Sequence, residues 1–442
     1  MTTNLLHRHT AVTPPMAVAG DGCYIIDSNG KRYLDACGGA AVSALGHSNE
    51  AVLDAARDQL GKLAFAHTGF FTSEPAEKLG AKLVSLAPDG ISHVYFVSGG
   101  SEAVETAIKL ARQFQIEHGK PTKSKIIARW QGYHGNTLGA LAAGGNRWRR
   151  EPFAPLLSDA FQHIDPCYYW RHGNNDETPF AYGQRMANQL ETAIVEAGPD
   201  NVAAFMAETV VGATLGAVPA VEGYFKRIRE ICDQYDVLLI LDEVMCGMGR
   251  TGYLFASEAE GISPDIVCIA KALGAGIQPV GATLCTQDIY DAIAGGTGFF
   301  QHGFTYIGHP TACAAGLAVL GEIEKHDLLS NVRKQGDTLH ARLLSAFGQH
   351  PNVGDIRGRG LFQAIELVAD RETKEPLSPN LKTHAKIKAA ALADGLMVYP
   401  MGGTVDGQRG DHVLLAPPYI IDDTHVDEIV GKLSDVIDRV LQ

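Results

Sequence analysis

The sequence predicts an α/β fold: a mostly parallel sheet wrapped by helices, with a smaller α+β unit beside it. Three observations predict it. From about residue 93 to 320, short apolar runs alternate with helical patterns. The runs at 237–241 and 266–270 are unbroken and rich in branched residues, as strands buried on both faces of a parallel sheet are. Each runs directly into a charge, Asp242 in one case and Lys271 in the other.

Taken in chain order, Tyr24-Ile25-Ile26-Asp27 and Lys31-Arg32-Tyr33-Leu34-Asp35 flank Ser28-Asn29-Gly30 and read as a hairpin closed by an Asn-Gly turn. Strands follow at 93–98, 125–129, 202–207, 237–241, 266–270 and 281–286. The stretch 222–235 is helical, because Phe225, Ile228, Ile231, Cys232 and Tyr235 fall on one stripe. Glycines at 99–100 and through 272–281 punctuate strand ends, where a site opens. A long helix starts near His309-Pro310. Beyond about residue 326, short strands at 362–368, 397–399 and 412–415 alternate with helices, ending in an amphipathic helix from Asp423. The expected division is therefore an N-terminal segment, 1–65, that joins a small C-terminal unit, 326–442, with a large unit at 66–325.

With 442 residues, one simple core is too small a plan. A formal net charge of -13 argues against nucleic acid or an anionic membrane as the main partner. Eight cysteines show no C-x-x-C pair and no zinc spacing, so no metal site is expected and a reducing cytoplasm is. The first ten residues lack the apolar stretch of a secretory signal, and no apolar run approaches the ~20 residues of a membrane span.

Four segments carry candidate chemistry. In Phe96-Val97-Ser98-Gly99-Gly100-Ser101-Glu102-Ala103, a strand meets two glycines and a helix start. Gly99, Gly100 and Ser101 can bring N–H donors against a phosphate, but a plain turn capped by Ser101 accounts for them equally well. A dinucleotide is disfavoured, since G-x-G-x-x-G is absent and Glu102 stands where phosphates crowd. In Gln131-Gly132-Tyr133-His134-Gly135, the aromatic can lie flat on a planar ring, although any turn can have this composition. In the run 241–252, Asp242 can pair with a pyridine nitrogen and Val244 can pack on its ring, while Mg²⁺ or a ribose hydroxyl would suit Asp242 as well. Lys271 completes the set. A charge buried without a partner costs several kcal/mol (~), so an anion and an amine at two core strand ends point to a ligand needing both. Pyridoxal phosphate needs both: a carboxylate for its ring nitrogen and an amine for its aldehyde.

At these residues the chain resembles the class III pyridoxal-phosphate-dependent aminotransferases of fold type I, the group of the ω-amino-acid:pyruvate, 4-aminobutyrate and ornithine enzymes. The resemblance runs from Tyr33-Leu34-Asp35 and Gly46-His47 to Phe304-Thr305-Tyr306-Ile307-Gly308-His309-Pro310 and Arg357-Gly358-Arg359-Gly360-Leu361. It implies a seven-stranded sheet and a homodimer with shared active sites, alone or paired into a tetramer. It implies Lys271 as the Schiff-base lysine and proton shuttle, and Asp242 as partner of the ring nitrogen. Val244 and Tyr133 would bracket the ring, Gly99, Gly100 and Ser101 hold the phosphate, and His134 and Glu208 lie beside the cofactor. Thr305 would reach the phosphate of the partner subunit.

Departures from the family pattern bear on substrate. Gly99 replaces a serine of the cradle, and Thr209 replaces a proline, which is expected to loosen that turn. Leu414 stands where relatives fix a carboxylate-binding arginine, so Arg409, in a glycine-rich loop, is the candidate mobile arginine. Phe65, Phe70, Phe71 and Tyr24 are candidates for an apolar entrance. The expected reaction moves an amino group from an ω-amino acid, amine or diamine to pyruvate or a similar keto acid in a ping-pong cycle. An aminomutase, decarboxylase or racemase of the same class would use the same cofactor residues. A nucleotide-binding oxidoreductase lacks its fingerprint here, and a dead scaffold would not need Lys271 with Asp242.

Overall fold

A computed structural model describes residues 4–441. Its centre is a seven-stranded sheet, with β1 (Ile91–Val97), β2 (Lys125–Arg129), β3 (Phe161–Ile164), β4 (Val202–Glu208), β5 (Leu238–Asp242), β6 (Ile266–Ile269) and β7 (Gly281–Thr286) in chain order. Across the sheet the order is β1-β7-β6-β5-β4-β2-β3. β7 runs antiparallel to both neighbours, and every other pair is parallel. Six of the strands match runs legible in the sequence. β3 escapes that reading because it is an edge strand of four residues, Phe-Gln-His-Ile, too short and too polar to stand out.

Side-chain alternation explains why the central strands are apolar throughout. Ala204, Met206, Ile240, Ile266 and Cys268 pack on one face, against the helix Gly100–Glu117 through Ala103, Ala107, Leu110 and Phe114. Phe205, Leu239, Leu241, Val267 and Ile269 point to the other face, where the helices Pro179–Ala197 and Tyr224–Tyr235 bring Tyr182, Met186, Phe225 and Ile228. Period-two strands covered on both sides leave no position for a polar residue until the strand ends. In β4, β5 and β6 the charged side chains are confined to those ends.

The hairpin near the start forms as expected, Tyr24–Asp27 pairing antiparallel with Arg32–Asp35. Asp27 Oδ1 accepts from the N–H groups of Asn29 and Lys31, and Gly30 supplies the positive φ of the turn. Residues Leu34 and Asp35 also pair, in parallel, with Leu396 and Met397, so the two ends of the chain share one sheet. A separate antiparallel sheet holds Val353–Arg359, Phe362–Leu367, Asp411–Leu415 and Tyr399–Gly402 in that order. All eight cysteines are buried and unpaired. Among the described residues no helix is long and apolar enough to cross a membrane.

A buried ionic cluster ties the second sheet to the loop after β4. Arg357 donates to Asp355 at 2.8 Å and to the carbonyl of Gly216 at 2.7 Å, and its guanidinium forms an ion pair with Glu366 at 2.8 Å. Glu366, wholly buried, also accepts from Arg171 at 2.6 Å and from the hydroxyl of Tyr168. Removing one partner leaves a buried charge uncompensated. Arg357→Met is therefore expected to lower unfolding stability by about 3–5 kcal/mol, read as the shift of the urea midpoint. A loss below about 1 kcal/mol, the worth of a surface pair, would show that this cluster does not hold the sheet to the loop.

Candidate active site

Three adjacent strand ends bring the chemistry together. Asp242, the last residue of β5, stands in register with Glu208, the last residue of β4, on one side. On the other side it faces Cys268 of β6, and Lys271 follows three residues later. Lys271 leaves the strand with φ of +49°, a left-handed turn that costs a residue with a Cβ roughly 1–2 kcal/mol. Among the described residues nothing forms a hydrogen bond or ion pair with its amine. Burial pushes that amine below the usual lysine value, while the nearby Asp242 and Glu208 oppose the shift.

Asp242 is buried but not bare. The ring nitrogen Nδ1 of His134 lies 2.7 Å from its Oδ2, and the N–H of Val244 donates to Oδ1 at 3.0 Å. A carboxylate only accepts, so Nδ1 must carry the proton. The opposite nitrogen, Nε2, is buried without a partner. Glu208 accepts from the N–H groups of Tyr133 at 3.0 Å and Gly212 at 2.8 Å. Burial and the charge of Asp242 raise its carboxyl, against the pull of His134. Thus the Gln131–Gly135 stretch, read in the sequence as an ordinary turn or a ring platform, is fastened to both acidic strand ends.

The glycine-rich start of the helix Gly100–Glu117 closes on the same point. A Cβ on Gly100 would lie 2.6 Å from Cγ1 of Val244, and one on Gly135 would lie 2.4 Å from Oγ of Ser101. Gly135 also has φ of +131°. Only residues without side chains let the three segments approach this closely. The N-cap is Gly99, not Ser101 as the turn reading had it; Ser101 sits within the first turn and its Oγ accepts from Asn136 N–H at 3.2 Å. Glu102, which seemed to crowd a phosphate, instead turns back to accept from Ser98 N–H at 2.8 Å. The unpaired N–H groups of the first helical turn are left free for an anion.

Other expected residues lie elsewhere. Phe70 and Phe71 are on the surface, 81 % and 68 % exposed, and Thr305 is exposed near Phe65 and Tyr306, whose rings meet at 5.6 Å. Arg409 is exposed and engaged with Asp406, its Nε donating at 2.8 Å. Leu414 is buried in an apolar cluster with Met245, Phe362 and Ala416. Thr209 does not loosen its turn. Its hydroxyl donates to the buried Glu243 at 3.0 Å, beside the N–H groups of Ala256 at 2.6 Å and Ser257 at 2.8 Å. Sequence reasoning passed over Glu243, Gln131 and Arg149, since their partners lie far away in the chain. The Arg-Trp-Arg-Arg run at 147–150 was the one visible sign of the last.

Comparison with known proteins agrees with this geometry. The class-III aminotransferase family matches residues 7–437. An uncharacterised aminotransferase of Schizosaccharomyces pombe is 46% identical over 96% of this chain and 92% of its own length. A diaminobutyrate–2-oxoglutarate transaminase of Halomonas elongata is 36% identical, over 95% of this chain and 89% of its own. The omega transaminase of Pseudomonas jessenii in complex with PMP superposes with a TM-score of 0.92 at 33% identity, covering 99% of this chain and 96% of that one. The chain belongs to the class III aminotransferases, and its fold is that of the fold type I transaminases, which use pyridoxal phosphate.

Burial holds the Glu243 carboxyl up at about 7, three donors notwithstanding. A raised carboxyl favours the fold below its unfolded value, and that contribution is lost as pH climbs through 7. Thr209→Val takes one donor from the ionised form. Its melting temperature should match the parent near pH 5 and fall behind progressively by pH 8. An equal deficit at both values would sever Thr209 from Glu243.

Proposed function

We propose that this class III aminotransferase holds pyridoxal phosphate over the ends of β4, β5 and β6. It would move an amino group from an ω-amino acid, amine or diamine to pyruvate or a similar keto acid. The observation that supports this best is the convergence of Asp242, Glu208 and Lys271 on neighbouring strand ends beside a helix start cleared by Gly100 and Gly135. The amine of Lys271, buried and without a partner among the described residues, fits a site shaped for a polar ligand.

When bound, the cofactor supplies an electrophilic aldehyde and a cationic ring that withdraws electrons from a substrate carbon. The side chains do the remainder. Asp242 would hold the proton on the ring nitrogen, its carboxylate fixed by His134. Val244 and Tyr133 would pack against the ring, and Glu208 holds Tyr133 in place by accepting from its backbone N–H. The N–H groups of Gly100 and Ser101, with the Ser101 hydroxyl, would take the phosphate. Lys271 Nζ, held below the usual lysine value by burial, would be the base that takes the proton from the substrate Cα.

The reading extends to a homodimer, with Thr305 reaching the partner subunit's phosphate. Exposed Phe65 and Tyr306, whose rings meet beside Thr305, support it, as exposed aromatic clusters mark contact surfaces. The relatives named for diaminobutyrate and as an omega transaminase favour a terminal amine as donor.

The purified holoenzyme should show a visible band that Lys271→Ala abolishes. With an added amine and pyruvate, alanine should form one for one with the amine's carbonyl product. Release of carbon dioxide, or isomerised amino acid without consumption of pyruvate, would replace transfer with decarboxylation or mutase chemistry.

A further inference from the structure

Arg149 lies in the short helix Arg147–Arg150, whose N-cap Asn146 accepts from the Arg149 N–H at 3.2 Å. Asn146 in turn donates to Oε1 of Gln131 at 2.8 Å, and Gln131 donates to the carbonyls of Gly403 and Thr404. Gln131 stands two residues before Tyr133, so this chain of bonds fixes Arg149 relative to the ring of Tyr133. The guanidinium carbon lies 4.7 Å from that ring's centroid. Among the described residues no carboxylate or carbonyl accepts from the Arg149 side chain, and its Nε is closed off from solvent without a partner.

Of the neighbouring arginines, Arg150 donates to the carbonyls of Leu141, Ala142 and Gly144, Arg409 holds Asp406, and Arg147 lies over the ring of Trp130, 5.0 Å from its centroid. A half-buried guanidinium with no anion wastes its charge unless an anion visits. Stacking on an aromatic face holds its plane in advance, and the fork that remains matches a carboxylate bidentately. The location is apt: Tyr133 bonds Glu208 through its N–H, and the next residue, His134, holds Asp242. Burial raises the Tyr133 phenol while Arg149 and Arg8 pull it down, so both cations reach this corner of a chain whose net charge is -13. Anionic substrates are thereby drawn to one place on an acidic protein.

We propose that Arg149 is the anchor for the substrate carboxylate. It grips the carboxylate of the keto-acid acceptor, and of the amino acid made from it, while uncharged amines bind without using it. Arg409 then keeps its bond to Asp406. This proposal rests on the aminotransferase reading above and adds to it the residue that selects carboxylate-bearing substrates.

The test uses the holoenzyme and succinate, a carboxylate that cannot react. By calorimetry, Arg149→Met should weaken succinate binding by about 10- to 100-fold, the worth of a charged hydrogen-bonded pair, and Arg149→Lys should recover part of it. The ratio of kcat/KM for pyruvate to that for acetaldehyde, an acceptor lacking the carboxylate, should fall by a similar factor. Unchanged succinate binding in an Arg149→Met protein that melts like the parent overturns the proposal. So does a loss that appears in Arg409→Met and not in Arg149→Met. A parent protein without the Lys271-dependent band fails earlier, and that result strikes the cofactor reading itself.

Discussion

Burying a carboxylate and an amine at the ends of adjacent core strands is the constraint from which the rest of this molecule follows. Neither group contributes to the packing of β5 and β6, whose other positions are apolar on both faces. Asp242 survives there because two donors, His134 Nδ1 and the Val244 N–H, are aimed at its two oxygens. Lys271 has no such compensation, and its backbone is turned into a left-handed conformation to place it. Strain and desolvation kept together at one point are what a reactive site looks like.

The loops around that point are built to close on it. Gly100 lets Val244 approach the helix start, Gly135 lets the Tyr133 loop lie on Ser101, and Glu208 pins that loop by its backbone. A second tier, Gln131 with Asn146 and the carbonyls of residues 403 and 404, links the loop to the C-terminal sheet. Arg357 and Glu366 fasten the same sheet to the loop after β4. The site is therefore held from both sides of the molecule, by polar bonds that the apolar core cannot supply.

Much of this was legible in the sequence because it is local. Strands such as 237–241 announce themselves by branched residues, and a charge at the end of such a run is conspicuous. The glycines beside Ser101 and around Tyr133 were equally plain. What lay hidden depends on partners far apart in the chain. Thr209 reads as a lost proline until Glu243, 34 residues on, is seen to need its hydroxyl. Glu102 reads as an obstacle until it folds back on Ser98. Residue 149 has no periodic relation to residue 133, so their stacking is a fact of tertiary structure alone. Strand β3, short and at the edge, had too little burial to leave a pattern.

One measurement bears on the centre of the account most directly. Reduction of the holoenzyme with borohydride, followed by mass mapping of its peptides, locates the lysine that holds the cofactor. The account predicts a pyridoxyl mass on Lys271 alone. Label on any other lysine, or none at all from a protein that retains the cofactor, would contradict it.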